Sequence, residues 1–394
     1  MKITDNIYWI GIKDWELRSF HGRELSTHHG STYNSYLLKD EINVLIDTVW
    51  DPFADRFIKK LEADPGIANI DAVVINHIEP DHGGSLGILA KNGLRPDVPI
   101  YCSKPGAEII NKYFHDVKLN LQPVETGDTI KTGKFKLVFV EMRMIHWPDS
   151  MLTYVDGDGT LFSNDAFGQH LCASGYFNDE VDEALLYGEA MKYYAGILTP
   201  YSKLIERKIG MLNAMEIPIK LIAPSHGVIW RKDPLDIVNK YLEWSMDYND
   251  GSVVVVYDCL YKATRQIAAA IAQGLENKGV RHKVVNSGDS DFSDLFTDLF
   301  RARGMIVGSS TVNNAMLRSI SAALDCVKSH KLKGKIGAAF GSYGWSGEAP
   351  KQIAEKLESA GVGLIGKPIG IKYAPTADEL KECVLFGETF ADAL

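Results

Sequence analysis

"DAVVINHIEPDHGG", Asp71–Gly84, decides the reading of this chain. Its first half is a short apolar run of strand type. Its second half sets four potential metal ligands, His77, Glu79, Asp81 and His82, within six residues. Alternate side chains of an extended segment share a face, so His77, Glu79 and Asp81 are expected to converge if the chain turns near Pro80. His82 then enters from the turn, and Gly83 and Gly84 permit close backbone approach.

Three more candidates stand at the expected ends of other apolar runs. His146 ends "LVFVEMRMIH", Asp165 ends "TLFSND" and His226 ends "LIAPSH". Taken singly, each is an ordinary strand-end histidine or turn aspartate. Ligands from several strand ends are nevertheless how an α/β scaffold builds one pocket. Three carboxylates gathered without a cation would repel one another and resist ionising. Three carboxylates and four imidazoles also exceed the needs of one tetrahedral zinc. They suit two six-coordinate metals sharing a bridging carboxylate, and an oxygen-rich, imidazole-containing open site favours non-haem iron.

The remainder of the 394 residues divides in two. Up to about residue 249, strand-like runs such as "NSYLLKD", "INVLIDTVW" and "FKLVFVEMRMIH" mix with helical patterns such as "PFADRFIKKLEAD", as in a two-sheet α/β sandwich. The turn-rich "DYNDGS" marks a linker near residue 250. From there to residue 394 the pattern becomes regular: "VVVVYD", "HKVVNS", "MIVGSS" and "KIGAAFGS" each lead into a helix, and a last short strand precedes the final helix. Such βα repetition predicts a doubly wound parallel sheet of flavodoxin size. The predicted domains are therefore 1–249 and 250–394.

Composition excludes several other classes. A net charge of -9 without a basic run argues against nucleic acid. No apolar run approaches the roughly 20 residues of a membrane span, and "MKITDNIYWIGIKDW" lacks a signal-peptide pattern, so the expected location is cytoplasmic. The five cysteines are scattered and form no C-x-x-C pair, so neither a disulfide framework nor a tetrathiolate metal site is expected.

The first part resembles the metallo-β-lactamase fold, with Glu79 where its zinc hydrolases place the second histidine of H-x-H-x-D-H. Joined to a flavodoxin-like second part, the whole chain is similar to the flavodiiron proteins. "DWELRSFHG", "GSTYNSYL", "HIEPDHGG", "MIHWPDSM", "SNDAFGQH", "KYYAGILTP", "APSHGVIWR" and "FGSYGWSGE" carry the likeness. The resemblance implies an αββα sandwich followed by a flavodoxin-like domain. It implies a diiron site on His77, Glu79, Asp81, His82, His146, Asp165 and His226, with Asp165 as the bridge. The His82 position varies within the family, water taking its place in some members. His21 and Tyr194 match residues near the open face of the iron pair, in proton donation or gas orientation; structural packing explains them equally well. His28, His29, His115, His170, His282 and His330 read as surface or structural.

The second part would hold FMN in three loops past the strand ends. The first is Cys259, Leu260, Tyr261, Lys262, Ala263 and Thr264, at a helix N-terminus suited to a phosphate. Cys259 stands where the family has Ser or Thr, so FMN phosphate binding is expected to be weaker yet adequate. The second is Ser309, Ser310, Thr311, Val312, Asn313 and Asn314, where Ser310 and Arg318 replace family prolines and predict a less rigid loop. The third is Ser342, Tyr343, Gly344, Trp345, Ser346 and Gly347, with Trp345 placed to stack on or flank the flavin rather than to fill the core.

The resemblance further implies a soluble reductase of dioxygen or nitric oxide. It would act as a head-to-tail homodimer, or a dimer of dimers, with the FMN of one subunit facing the iron pair of the other. Trp147 and Glu79 would lie near that junction. The absence of C-x-x-C predicts no fused rubredoxin, so an external donor is expected, rubredoxin or else a deazaflavin. Two rivals are a binuclear metallohydrolase with an accessory flavodoxin module and a flavin electron carrier with a vestigial first domain. Glu79 and the flavin loops count against the first, the full ligand set against the second.

Overall fold

The apolar runs around the opening motif are strands buried on both faces. Neighbouring residues of a strand point to opposite sides. Tyr36, Leu38, Val44, Ile46, Ala72 and Val74 enter one core while Leu37, Leu45 and Val73 enter another. That double burial is why the sequence shows continuous apolar runs instead of alternation.

The computed structural model describes residues 1–394, which form two compact units. The first comprises Met1–Phe20, Thr27–Tyr194 and Tyr201–Glu243. One sheet runs in the order β1 (Ile7–Trp9), β2 (Tyr36–Lys39), β3 (Asn43–Ile46), β4 (Ala72–Val74), β5 (Pro99–Ser103) and β6 (Asn120–Val124). The other runs β7 (Thr129–Lys131), β8 (Lys136–Glu141), β9 (Met151–Asp156), β10 (Thr160–Asn164) and β11 (Leu221–Pro224). Leu137, Phe139, Phe162 and Ala223 of the second sheet meet Val44 and Val74 of the first. Helices Ala54–Ala63, Leu86–Lys91 and Lys104–Tyr113 cover the first sheet's other face through Phe57, Leu61, Leu89 and Ile110. Burying side chains of this size stabilises by about 1.5–3 kcal/mol each.

Strand direction gathers the candidate ligands. β10 and β11 are parallel, with Asn164 opposite Pro224, so Asp165 and His226 leave the sheet side by side. Met151 N–H donates to the Asn76 carbonyl at 3.0 Å, and Thr153 Oγ1 donates to Asn76 Oδ1 at 2.7 Å. These bonds bring the exit of β4, and with it His77, to the second sheet.

The second unit comprises His21–Ser26, Ala195–Pro200 and Trp244–Leu394. Two segments of the first 249 residues thus pack with the later chain. Ser26 Oγ donates to Asp291 Oδ1 at 2.8 Å, and the Gly196 carbonyl lies 3.1 Å from His330 Nε2. The main sheet is parallel, in the order β13 (His282–Asn286), β12 (Val253–Asp258), β14 (Gly304–Ser310), β15 (Ile336–Tyr343), β16 (Gly363–Leu364). This is the 2-1-3-4-5 order of flavodoxin-like sheets, whose switch point lies beside the first strand. The single last strand of the sequence reading is two: β16 and β17 (Ile369–Lys372) both pair with β15, separated where Gly366 takes φ 69°. No helix is long and apolar enough to cross a membrane, and all five cysteines are free.

Candidate metal centre and flavin loops

"HIEPDH" serves two places, not one. Pro80 opens a single helical turn, Pro80–Gly83, at the first helical position, where its missing N–H costs nothing. The turn divides the motif. His77 and Glu79 gather with His146 and Asp165, while Asp81 and His82 gather with His226, and within each group the ligand atoms lie within 4.8 Å of one another. The expected convergence of Asp81 with His77 and Glu79 is corrected by this turn.

Asp165 faces both groups. Its Oδ2 lies 3.3 Å from His146 Nε2 and 3.7 Å from His77 Nε2. Its Oδ1 lies 2.9 Å from His82 Nε2 and 3.7 Å from His226 Nε2. All seven side chains expected as ligands therefore meet, with one oxygen of a shared carboxylate toward each set.

Many of these approaches are close without being hydrogen bonds. Both oxygens of Asp81 and of Asp165, and both nitrogens of His82, are buried without hydrogen-bond partners. Buried carboxylates with no donors are costly unless a cation is near. Lone pairs aimed at a shared interior point are the geometry of metal ligands. The residues fit two metal ions, and a set built only of carboxylate oxygen and imidazole nitrogen fits non-haem iron.

The electrostatics agree. Burial disfavours the imidazolium of His77, yet the carboxylates of Asp149, Glu79 and Asp165 raise its pKa well above the usual histidine value. His82 and His146 are likewise disfavoured by burial and raised to about 9 by carboxylates, Asp81 and Asp165 for the first, Asp165 and Glu79 for the second. Burial would raise Asp165, but the surrounding imidazoles hold it well below the ordinary carboxylate range. A cluster this avid for protons is avid for cations.

Neighbours outside the seven aim the rings. Asp149 lies 3.0 Å from His77 Nδ1 and also accepts the Ile78 N–H at 2.8 Å. His226 Nδ1 lies 2.6 Å from the Thr32 carbonyl. Each contact leaves Nε2 facing the cluster, as metal-binding histidines require. Asp47, buried at φ 53°, accepts from Asn76 N–H at 2.7 Å and holds the residue before His77. Glycines fix two turns. A Cβ on Gly83 would lie 2.2 Å from Ile78 Cδ1, and one on Gly227, at φ 77°, would lie 1.3 Å from Gln169 Oε1.

Sequence reasoning missed some of this. Asp149 sits in "HWPDS" and Asp47 follows β3, but neither had ligand spacing. His146 does not end a strand. Glu141 pairs with Met151, so residues 142–150 are the loop joining β8 and β9, with Met144 at φ 66°. Trp147, on that loop, sets its ring 5.2 Å from His77. Tyr193 is the tyrosine set against the cluster, its ring 6.2 Å from His226 and 5.1 Å from His170. Tyr194 packs edge-on to Tyr241 at 5.0 Å and its hydroxyl lies 3.0 Å from Ser202 Oγ. His170, read as surface or structural, is buried 4.9 Å from the His226 ring, with Nδ1 2.7 Å from Ser31 Oγ. His21 belongs to the second unit, in an exposed turn at φ 48°.

In the second unit the three expected loops share the carboxyl end of the sheet. Thr264 Oγ1 lies 3.0 Å from Ser310 Oγ and 2.8 Å from Ser342 Oγ, joining one hydroxyl from each loop. The helix Ala263–Asn277 starts with no side-chain cap, leaving its first N–H groups for an anion. Cys259 Sγ donates to the Tyr261 carbonyl at 3.0 Å within the loop. The second loop has its own fastening. Val312 and Ala315 exchange N–H···O bonds of 2.9 and 3.0 Å around Asn313 and Asn314, at φ 51° and 59°, the signature of a type I′ turn. Ser309 Oγ accepts the Leu317 N–H at 2.8 Å. Trp345 is 88% exposed and Tyr261 86%, which rules out core roles for both and leaves flat aromatic surfaces at the rim. A phosphate cradle with aromatics at its lip fits FMN.

The comparisons with known proteins agree with both units. Residues 255–387 match the flavodoxin family, and residues 32–227 match the ODP family beta lactamase. The chain is 44% identical over 392 residues to the anaerobic nitric oxide reductase flavorubredoxin of Klebsiella pneumoniae subsp. pneumoniae, covering 99% of this chain and 81% of that one. Rubredoxin oxygen:oxidoreductase from the anaerobe Desulfovibrio gigas superposes with a TM-score of 0.95 at 33% identity, over 100% of this chain and 98% of that one. The flavodiiron protein of Giardia intestinalis gives a TM-score of 0.94 at 32% identity, over 99% and 95%. The first unit is metallo-β-lactamase-like, the second is flavodoxin-like, and the chain belongs to the flavodiiron protein family.

Proposed function

We propose that the protein is an oxidoreductase that uses FMN and a pair of non-haem irons to reduce nitric oxide to nitrous oxide, dioxygen to water, or both. The observation that carries this reading is Asp165, which offers one oxygen to each of two ligand groups in a chain whose other unit is flavodoxin-like. When bound, FMN supplies single-electron exchange and the irons supply open coordination positions for a small gas.

The chain's own residues do the rest. His77, Glu79, His146 and Asp165 would hold one ion, and Asp81, His82 and His226, with Asp165 beside them, would hold the other. Glu79 and His146 are partly exposed, at 12% and 11% for their side chains, so this is the side by which a gas enters. Tyr193 keeps its proton throughout the neutral range, because burial and then the charge of Asp165 raise its pKa far above the usual value. Its hydroxyl is therefore a donor beside the cluster. Tyr194, whose hydroxyl pairs with Ser202, is read as structural, and His21 keeps both readings, proton handling or packing. Thr264, Ser310, Ser342 and the start of helix Ala263–Asn277 would hold the FMN phosphate, and the exposed Tyr261 and Trp345 would flank the ring.

Electrons come from an external donor. Rubredoxin is the proposed one, supported by the Desulfovibrio gigas relative's name, with a deazaflavin the alternative. A head-to-tail homodimer or dimer of dimers in the cytoplasm completes the proposal.

Metal analysis tests it. About two irons and one FMN per chain are expected, whereas zinc in place of iron would mark a hydrolase. Asp165→Ala should lose most iron and retain FMN. Gas reduction at the wild-type rate in that variant would refute the assignment, and anaerobic turnover of each gas with pre-reduced flavin gives the preference.

A further inference from the structure

The first flavin loop begins with a cysteine whose thiol is turned to its own loop, donating to the Tyr261 carbonyl at 3.0 Å. Something else must fix where the loop starts. Asp258, the last residue of β12, does so. Its Oδ1 accepts the Cys259 N–H at 2.7 Å, and its Oδ2 accepts the Ser319 hydroxyl at 2.5 Å. Ser319 in turn accepts from Ser287 Oγ at 2.9 Å. A Cβ on Gly288 would meet Asp258 Oδ1 at 3.0 Å, so the glycine leaves room for the carboxylate.

The chain of bonds has a clear span. Ser287 follows β13, Asp258 ends β12, and Ser319 lies in the first turn of helix Arg318–Ser329. That helix begins right after the second flavin loop, whose Ser309 hydroxyl accepts the N–H of Leu317. One carboxylate therefore joins the phosphate loop to the element that closes the second loop, across the switch point of the sheet. A bare carboxylate beside a phosphate-binding loop would disfavour the anion. Here both oxygens already accept hydrogen bonds from donors of the fold, which are stronger to an ionised acceptor.

We propose that Asp258 is a positioning residue for the phosphate of FMN: through Cys259 N–H and Ser319 it sets the loop that takes the phosphate, without touching the flavin ring. The proposal rests on the FMN reading of this unit.

The test uses the full-length chain stripped of flavin and titrated, by quenching of flavin fluorescence, with FMN and with riboflavin, which lacks the phosphate. Asp258→Ala should weaken FMN by about tenfold or more, the usual result of losing a hydrogen bond to a charged group. Riboflavin should bind within about twofold of wild type, because the ring contacts are elsewhere. Asp258→Asn, which keeps an acceptor for the Cys259 N–H and sheds the charge, should restore FMN to within about threefold of wild type. If Asp258→Ala does not fold, Ser319→Ala carries the test, with a loss of about threefold for FMN alone. An unchanged FMN affinity, or equal weakening of FMN and riboflavin, would overturn the role of Asp258. Wild-type chain that binds neither flavin would instead overturn the cofactor reading beneath it.

Discussion

The carboxylate of Asp149 faces Nδ1 of His77 at 3.0 and 3.1 Å, with both groups almost fully buried. This contact sets the ring so that Nε2 enters the cluster. Removing such a partner typically costs about 10–100-fold in metal affinity. Asp149→Ala should therefore lose iron preferentially from the group of His77, Glu79 and His146, falling from about two irons per chain toward one. Iron content after gel filtration against a chelator reads this directly. Full retention would show that packing alone orients His77.

His82 is held differently from its neighbours. His77 and His226 each have a partner at Nδ1, whereas Nδ1 of His82 is buried without one. This ring is held by packing against the rings of His77 and His226 and by no bond at Nδ1, so it is less firmly aimed than its neighbours. His82→Ala should retain more iron than His226→Ala, by about a factor of ten in affinity for the second ion. Equal loss in the two variants would contradict this.

How much of this was legible beforehand follows from the kind of signal each residue leaves. Strand ends are legible because apolar runs stop there, and Asp165 and His226 were found that way. His146 was found the same way but is not at a strand end, since "MRMIH" continues the apolar look of β8 although its partner strand has already turned back at Met151. The split of "HIEPDH" depends on a one-turn helix of four residues, too short to leave a periodic pattern. Asp149 and Asp47 act through other residues, and no spacing rule marks them. Tyr193 and Tyr194 are adjacent and alike, and only the end of helix Glu183–Tyr193, passing into a π-helical turn over Tyr194–Leu198, decides which way each points.

That helix end makes a discriminating pair of variants. Tyr193→Phe removes a hydroxyl beside the cluster, whereas Tyr194→Phe removes one that pairs with Ser202. Tyr193→Phe should lower the gas-reduction rate by about 10-fold or more, the scale of one lost hydrogen-bond donor to a charged group. Tyr194→Phe should change it less and should chiefly lower stability, by about 1 kcal/mol. Pre-steady-state rates of the reduced enzyme with each gas check this, and the reverse ranking would restore Tyr194 as the catalytic tyrosine.

Lys335 gives a pH prediction away from the metals. Its side chain is buried, and Nζ donates to the carbonyls of Tyr248 and Phe300 at 2.7 Å each. Burial lowers its pKa to about 7, with Arg303 adding to the effect and Asp250 and Asp247 opposing it. In the unfolded chain it titrates near 10.4. Between about 7 and about 10.4 the unfolded state thus binds more protons than the folded one, and stability must rise with pH across that window. Below about 7 the charged amine is buried and its full cost is felt. Lys335→Met abolishes this titration while leaving two carbonyls without a donor, a penalty of about 1–3 kcal/mol each that does not depend on pH. The wild-type chain should therefore gain on Lys335→Met in urea midpoint between pH 6.5 and pH 9, as the difference cancels other titrations. A difference that stays flat, or that shrinks as pH rises, would show that the amine remains charged in the fold, held by its two carbonyls.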